Sequence, residues 1–287
     1  LVYKKVDFCT LEMDVYAEND GKPVIIYFHG GGLIFGNRRE MTDEQVRFFI
    51  ESGYNVISVD YRLAPETKLV EIVNDLKDAI DFIKTFDGFM VKLDMSKLIY
   101  MGRSAGGYLA LLLATYEGYA PAAVVSIYGY GSITSEWYKK PSPYYLTRKR
   151  ISLEMAESVI GNEAVSDGKM ERFLYYLYLR QQGKWLDHVA GFDVSLHSEE
   201  WKEYSPLERF DGGYPATVLV HGDGDRDVPY EESCKIHKKL CALGVVSRLI
   251  TVENAGHGFD HSIEEKRVRG IFEAIVDFLN SVTGDRS

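Results

Sequence analysis

Cysteine and positive charge are the two things this chain has little of, and each scarcity removes a class of explanation. Three cysteines among 287 residues cannot build the dense disulfide framework of a small secreted domain. Cys234 and Cys241 lie seven apart in a helical pattern, about 10 Å along the axis and too far for a disulfide. All three thiols are expected to be buried and structural, since a free cysteine behaves as a small hydrophobe. A reducing cytoplasm is the compartment that fits.

The 33 basic residues are outnumbered by 43 acidic ones, for a net charge of -10. Such a surface repels nucleic acid and anionic membranes and suits neutral or cationic small ligands. Long apolar runs are missing as well. The stretches 24–28 and 109–114 fall far short of the roughly 20 residues that span a bilayer, so no stable membrane insertion is expected. A leader removed before Leu1 is compatible with the sequence. No repeat or low-complexity tract appears, and 46% hydrophobic residues suffice for a large core in one α/β domain, or in a domain with an inserted cap.

What is present is a regular alternation. Residues 2–17 read as two strands and Val24-Ile25-Ile26-Tyr27-Phe28 as a buried one closed by glycines. Thr42 caps a helix to Glu51, 55–60 is a strand, 69–86 a helix, and 98–101 a strand that runs into Ser104. A helix over 108–116 and a strand over 122–128 follow. The alternation breaks between about 132 and 212, where Pro141 and Pro143 precede helix-like segments at 153–160 and 171–180. It resumes with a strand at 216–220, a helix at 231–243, a strand at 247–252 and a helix at 263–279. Strands alternating with helices imply a mostly parallel sheet flanked by helices, with right-handed crossovers. The expected organisation is one catalytic domain, 1–131 and 213–287, carrying a helical cap at 132–212. Trp137, Trp185 and Trp201 lie in the cap with Tyr144, Tyr145, Tyr175, Tyr176 and Tyr178. They either line a substrate pocket or form a small core of the cap.

Gly102-Arg103-Ser104-Ala105-Gly106 is a weak motif alone, but it follows an apolar strand and precedes a helix, the setting of a tight turn that exposes a serine oxygen. Glycines 102 and 106 permit the turn, and Gly107 lets the helix approach the sheet. A serine hydroxyl needs a base to take its proton and a carboxylate to hold the tautomer of that base. Of seven histidines, His257 lies in a loop just past the last predicted strand, free to aim at Ser104. Asp225 and Asp227 compete for the acid, in a segment that starts at His221. Asp225 is the choice, being nearer the strand end, while Asp227 is expected to cap the helix near Pro229 and Asp223 to shape the turn. The chain order Ser104, Asp225, His257 is that of an α/β-hydrolase. An oxyanion hole is then required, and His29-Gly30-Gly31-Gly32 follows a strand. The N–H groups of Gly31, Gly32 and Ala105 are the expected donors, with His29 holding the glycine loop in shape by a hydrogen bond.

Together His29-Gly30-Gly31-Gly32, Asp60-Tyr61-Arg62-Leu63-Ala64-Pro65-Glu66 and Ser104-Ala105-Gly106-Gly107 resemble the hormone-sensitive-lipase-type carboxylesterases of the α/β-hydrolase superfamily. The resemblance implies an α/β-hydrolase fold and ester hydrolysis through an acyl-enzyme intermediate. It also implies that Tyr61–Glu66 braces the loops behind the oxyanion hole. Arg62 and Glu66 either pair or form a solvated loop pair of little worth. Three departures stand out. Arg103 occupies a position where members carry Asp, the acid segment is more similar to prolyl-oligopeptidase and dienelactone-hydrolase branches, and the N-terminal helical cap typical of the family is not evident.

The leading expectation is a serine carboxylesterase acting on small or medium acyl esters, with a small-molecule ester as partner, no metal and no cofactor. A C–N hydrolase, of the kynurenine-formamidase or peptidase kind, shares the same triad. A non-catalytic fold that binds a ligand is the alternative of another class. A homodimer is compatible with any of these. Activity is expected to decline below about pH 6, as His257 protonates.

Overall fold

The computed structural model of the chain describes residues 1–191 and 200–284. Among them, eight strands form one sheet in the order β1-β2-β4-β3-β5-β6-β7-β8. They are β1 (Val2–Val6), β2 (Cys9–Tyr16), β3 (Lys22–Phe28), β4 (Asn55–Val59), β5 (Leu93–Arg103), β6 (Ala123–Ile127), β7 (Ala216–Gly222) and β8 (Ser247–Val252). From β4 to β8 along the sheet every pairing is parallel, while β1 and β2 join antiparallel. This is the mostly parallel, helix-flanked sheet of an α/β-hydrolase. Its central strands read as continuous apolar runs because both faces are covered, and Val24 to Phe28 are wholly buried.

Helices α1 (Asp43–Glu51), α2 (Leu69–Thr85) and α3 (Ala105–Leu113) connect the first parallel strands. Short helices α4 (Glu136–Lys139), α5 (Pro143–Leu146), α6 (Leu153–Glu157), α7 (Phe173–Gln182), α8 (Trp185–Ala190) and α9 (Pro206–Arg209) lie between β6 and β7. Helices α10 (Glu231–Ala242) and α11 (Lys266–Thr283) complete the chain. One face of the sheet packs with α1 and α11, the other with α2, α3, α10 and the β6–β7 segment. In α11 the buried residues Val268, Ile271, Phe272, Ile275, Phe278 and Leu279 recur every three to four positions. Each such burial stabilises by about 1.5–3 kcal/mol.

Several boundaries differ from the sequence reading, for physical reasons. Helix α3 begins at Ala105, directly after Ser104, and not at Tyr108. Gly106 and Gly107 belong to its first turn, where a Cβ on Gly106 would lie 2.0 Å from the Phe28 carbonyl oxygen. The closing helix begins at Lys266 instead of Ile263. Thr42 does cap α1: its hydroxyl accepts from the Gln45 amide and the Gln45 side chain accepts in return, a reciprocal capping box. Cys9 is buried, but Cys241 is exposed, because it falls outside the α10 face formed by Glu232, Ser233, Ile236 and Leu240. The expectation of three buried thiols is corrected there.

The sheet order also decides where chemistry can occur. The chain passes from β3 to β4 on one side, then returns to place β5 on the other side of β3. The order reverses between β3 and β5, and the crevice at their carboxyl ends is the usual site for a ligand in such sheets. Phe28 pairs in register with Gly102, so the glycine loop after β3 and the turn after β5 emerge side by side.

Candidate active site

Ser104 stands between β5 and α3 with φ 51° and ψ −118°, a conformation disfavoured for a residue with a side chain. Neighbouring glycines make the turn feasible. A Cβ on Gly102 would sit 2.3 Å from the backbone of Gly106, so the two strokes of the turn touch. The Ser104 hydroxyl donates to His257 Nε2 at 3.1 Å, and His257 Nδ1–H donates to Asp225 Oδ2 at 2.7 Å. Carboxylate oxygens accept only, which sets the direction of the chain of bonds. The structure thus brings together the three residues singled out in the sequence.

Asp225 is held from four sides. Its Oδ1 accepts the backbone N–H groups of Asp227 at 2.8 Å and Val228 at 3.0 Å. Its Oδ2 lies 3.3 Å from His221 Nε2 as well as 2.7 Å from His257. His221 Nε2 also faces the Val228 carbonyl at 3.1 Å, while its Nδ1 accepts from the Ser233 hydroxyl at 2.7 Å. Burial opposes the charge on Asp225, yet hydrogen bonds from His221 and His257 outweigh it and hold the carboxyl well below the usual carboxylate range. For His257 burial again opposes charge, but the bond to Asp225 and the nearby carboxylates raise its pKa above the ordinary value. In the sequence alone, His221 marks only the start of the acid segment. Its position one helical-turn length before Asp225, at the end of β7, was the available signal for its contact.

The glycine loop lies against the serine. A Cβ on Gly30 would be 3.5 Å from Ser104 Cβ. Gly31 and Gly32 have φ of 92° and 61°, the left-handed region open to glycine. Among the described residues, the N–H groups of Gly31, Gly32 and Ala105 have no protein acceptor. His29 holds the loop as expected, with Nδ1 2.9 Å from the Gly30 carbonyl. Its ring stacks on Tyr61 at 4.1 Å, and the Tyr61 hydroxyl donates to the His29 carbonyl at 2.8 Å.

Arg103 has a buried explanation. Its Nε pairs with Asp260 at 2.5 Å and its Nη2 donates to Gln45 Oε1 at 2.7 Å. Asp260 also accepts from the Tyr128 hydroxyl, and the Tyr128 ring packs 4.5 Å from that of His257. Glu40 joins the same layer, accepting from the Gly30 N–H at 2.8 Å and the Tyr27 hydroxyl at 2.6 Å. One buried polar layer therefore underlies Ser104, His257 and the glycine loop. Connected buried networks of this kind rigidify what they touch.

Two expectations are corrected. Asp227 caps no helix, since α10 begins after Tyr230 with no side-chain cap. Instead it binds Arg180 at 2.7 Å, the Tyr176 hydroxyl at 2.9 Å and the Tyr145 hydroxyl at 2.8 Å. Arg62 does not pair with Glu66. Arg62 is bidentate to Asp75, and Glu66 to Arg172, which also donates to the carbonyls of Ile34 and Ala64. Arg172 and Trp185, whose Nε1–H donates to the Gly32 carbonyl at 2.8 Å, stitch the β6–β7 segment to the glycine loop.

Above Ser104 opens a cleft of about 790 Å³, lined by Phe35, Tyr128, Tyr144, Tyr145, Phe173 and Tyr176 among others. The aromatics of the β6–β7 segment divide between the two expected roles. Tyr144, Tyr145 and Tyr176 line the cleft. Trp185 and Trp201 are fully buried, and Trp137 and Tyr175 pack with the main core. The segment shares that core with the sheet. Residues 192–199 of the expected cap lie outside the described residues.

The BD-FAE family model matches residues 13–240, most of the sheet and the whole β6–β7 segment. The chain belongs to the BD-FAE family. It is an α/β-hydrolase with an esterase-like fold, in the superfamily that the motifs resembled. A protein of unknown function from Staphylococcus aureus Mu50 is 29% identical, covering 98% of each chain with a TM-score of 0.82. An α/β-hydrolase superfamily protein from Enterococcus faecalis is 25% identical over 95% of each chain, with a TM-score of 0.75. The esterase Est2 of Thermogutta terrifontis shares the fold at 19% identity, covering 98% of this chain and 91% of its own, TM-score 0.69. By sequence, the non-reducing polyketide synthase prhL of Penicillium brasilianum is 28% identical over 98% of this chain and 14% of its own length. The methylphloroacetophenone synthase of Cladonia uncialis is 27% identical over 91% and 12%. This BD-FAE chain thus spans about a seventh of such synthases. Among its described residues no helix is long and apolar enough to cross a membrane.

Proposed function

We propose that this BD-FAE chain is a serine carboxylesterase that hydrolyses small or medium acyl esters through an acyl-enzyme intermediate. The observation that carries this reading is the run of hydrogen bonds from Asp225 through His257 to Ser104 at the floor of the cleft. Ser104 is the nucleophile, His257 the base and Asp225 the acid. The Ser104 oxygen bonds to the acyl carbon as its proton passes to His257 Nε2, and the carbonyl electrons move onto oxygen. Collapse breaks the bond to the alcohol oxygen, which takes the proton from His257. Water repeats the sequence, giving one proton to His257 and releasing the acid as Ser104 recovers its own. The N–H groups of Gly31, Gly32 and Ala105 meet the oxyanion, each worth about 3 kcal/mol in the transition state. Residues 132–212 act as a cap over 1–131 and 213–287, supported by the cleft-lining tyrosines they supply.

A fluorophosphonate probe tests the nucleophile. Covalent labelling of the protein, abolished in Ser104→Ala, is expected; absence of label, or equal labelling of the variant, overturns the reading. The relative Est2 is itself recorded phosphonylated by sarin. Substrate class is tested by kcat/KM on p-nitrophenyl acetate, butyrate and octanoate against N-formylkynurenine. Much faster turnover of the last would move the assignment to C–N hydrolysis.

A further inference from the structure

Arginines buried around the cleft each have a carboxylate. Arg103 pairs with Asp260, Arg172 with Glu66 and Arg180 with Asp227. Two others do not. Arg148, one turn beyond Tyr144, lies 5.1 Å from the Tyr144 ring centroid and 5.5 Å from that of Tyr145, and donates to the Tyr144 hydroxyl at 2.7 Å. Arg226, set between Asp225 and Asp227 in the acid loop, lies 4.7 Å from the same Tyr144 centroid. Among the described residues, neither guanidinium has an ion-pair partner. Lys149 and Arg150 follow directly on the same exposed segment.

Two like charges gathered on one ring repel each other. Ring faces hold guanidiniums, but they do not neutralise them. Asp167, Glu171 and Asp227 also line the cleft, yet among the described residues none lies within ion-pair distance of either guanidinium. Tyr144, Tyr145 and Arg148 line the cleft that holds Ser104 and His257, so an oxyanion arriving with a substrate has access to Arg148, and Arg226 stands beside it on the Tyr144 ring that both share. Guanidinium presents a planar fork of donors that matches a carboxylate, and stacking against tyrosine orients that fork in advance.

Resting on the esterase reading, we infer that Arg148 and Arg226 form a subsite for a carboxylate at the far end of the substrate. The preferred substrates are esters whose remote end is anionic, such as half-esters of dicarboxylic acids. The overall negative charge disfavours such substrates at long range, so selection for them is local and salt-sensitive. This departs from the expectation of neutral or cationic ligands drawn from net charge alone.

The test compares kcat/KM for mono-(p-nitrophenyl) glutarate and p-nitrophenyl butyrate. The wild-type ratio is expected to exceed that of Arg148→Ala/Arg226→Ala by about tenfold or more, with the change in KM, and to shrink between low and high salt. Arg148→Lys/Arg226→Lys should recover part of it. An equal ratio in wild type and the double alanine variant overturns the inference. Inorganic phosphate, inhibiting butyrate hydrolysis more strongly than glutarate does and through the same arginines, would replace the carboxylate with a phosphate. Calorimetric titration of mono-methyl glutarate into Ser104→Ala, with and without the arginine substitutions, reads the subsite without turnover. Binding weakened about tenfold by their loss supports the subsite even if the esterase reading fails, and no binding, or binding indifferent to the arginines, removes it.

Discussion

Asp225 and Asp227 stand two residues apart in one loop, yet their side chains serve different halves of the molecule. Asp225 receives His257 and His221, whereas Asp227 receives Arg180, Tyr176 and Tyr145 from the β6–β7 segment. The backbone N–H of Asp227 also donates to Asp225 Oδ1, so the contact with the β6–β7 segment and the carboxylate beside His257 share a support.

That division separates two substitutions. Asp225→Asn should lower kcat about 10³- to 10⁴-fold with little change in unfolding, because it disturbs the tautomer of His257. Asp227→Asn leaves Arg180 buried without its counter-charge, and should cost about 3–5 kcal/mol of stability, read by urea unfolding, with a far smaller loss in kcat. The reverse pattern would exchange their roles.

The pH profile follows from the direction of the His257 shift. His257 must be neutral to accept the serine proton, and its pKa lies above the ordinary histidine value because of Asp225 and the neighbouring carboxylates. Activity is therefore lost as pH falls through a midpoint above about 6.5, higher than the value near 6 expected from sequence. The acid limb of kcat/KM on a neutral ester measures it; a midpoint at or below 6 contradicts the contact.

Breaking the ion pair beside Ser104 should be costly. Arg103→Met leaves Asp260 buried and uncompensated, a loss of about 3–5 kcal/mol, visible in denaturant unfolding. Since Asp260 also receives the Tyr128 hydroxyl and Tyr128 packs on His257, a fall in kcat should accompany it.

Trp185→Phe removes the donor to the Gly32 carbonyl while keeping an aromatic ring. The unsatisfied carbonyl should cost about 1–3 kcal/mol. Loosening of the glycine loop should appear in kcat more than in KM, as measured on p-nitrophenyl butyrate. Unaltered kcat would mean that the β6–β7 segment does not position that loop.

Gly106→Ala tests the turn itself. Its Cβ would meet two backbone carbonyls of the β3 end within 2.5 Å, neither of which can move without opening the sheet. Destabilisation of about 4 kcal/mol or more is expected, judged by soluble yield and unfolding midpoint.

Local pattern was enough for much of this. The apolar runs of the central strands, the 3.6-residue rhythm of α11, the Thr42 capping box and the glycines about Ser104 are each written within a few neighbouring residues. The chain order of Ser104, Asp225 and His257 follows from loops that end successive strands. What local pattern does not contain is which charged side chain meets which across the fold. Arg103 with Asp260, Arg180 with Asp227, Arg62 with Asp75 and Arg172 with Glu66 join different elements, most of them far apart in sequence. Only the packed structure decides such partners, because a buried charge must find its counter-charge wherever the sheet order brings one near.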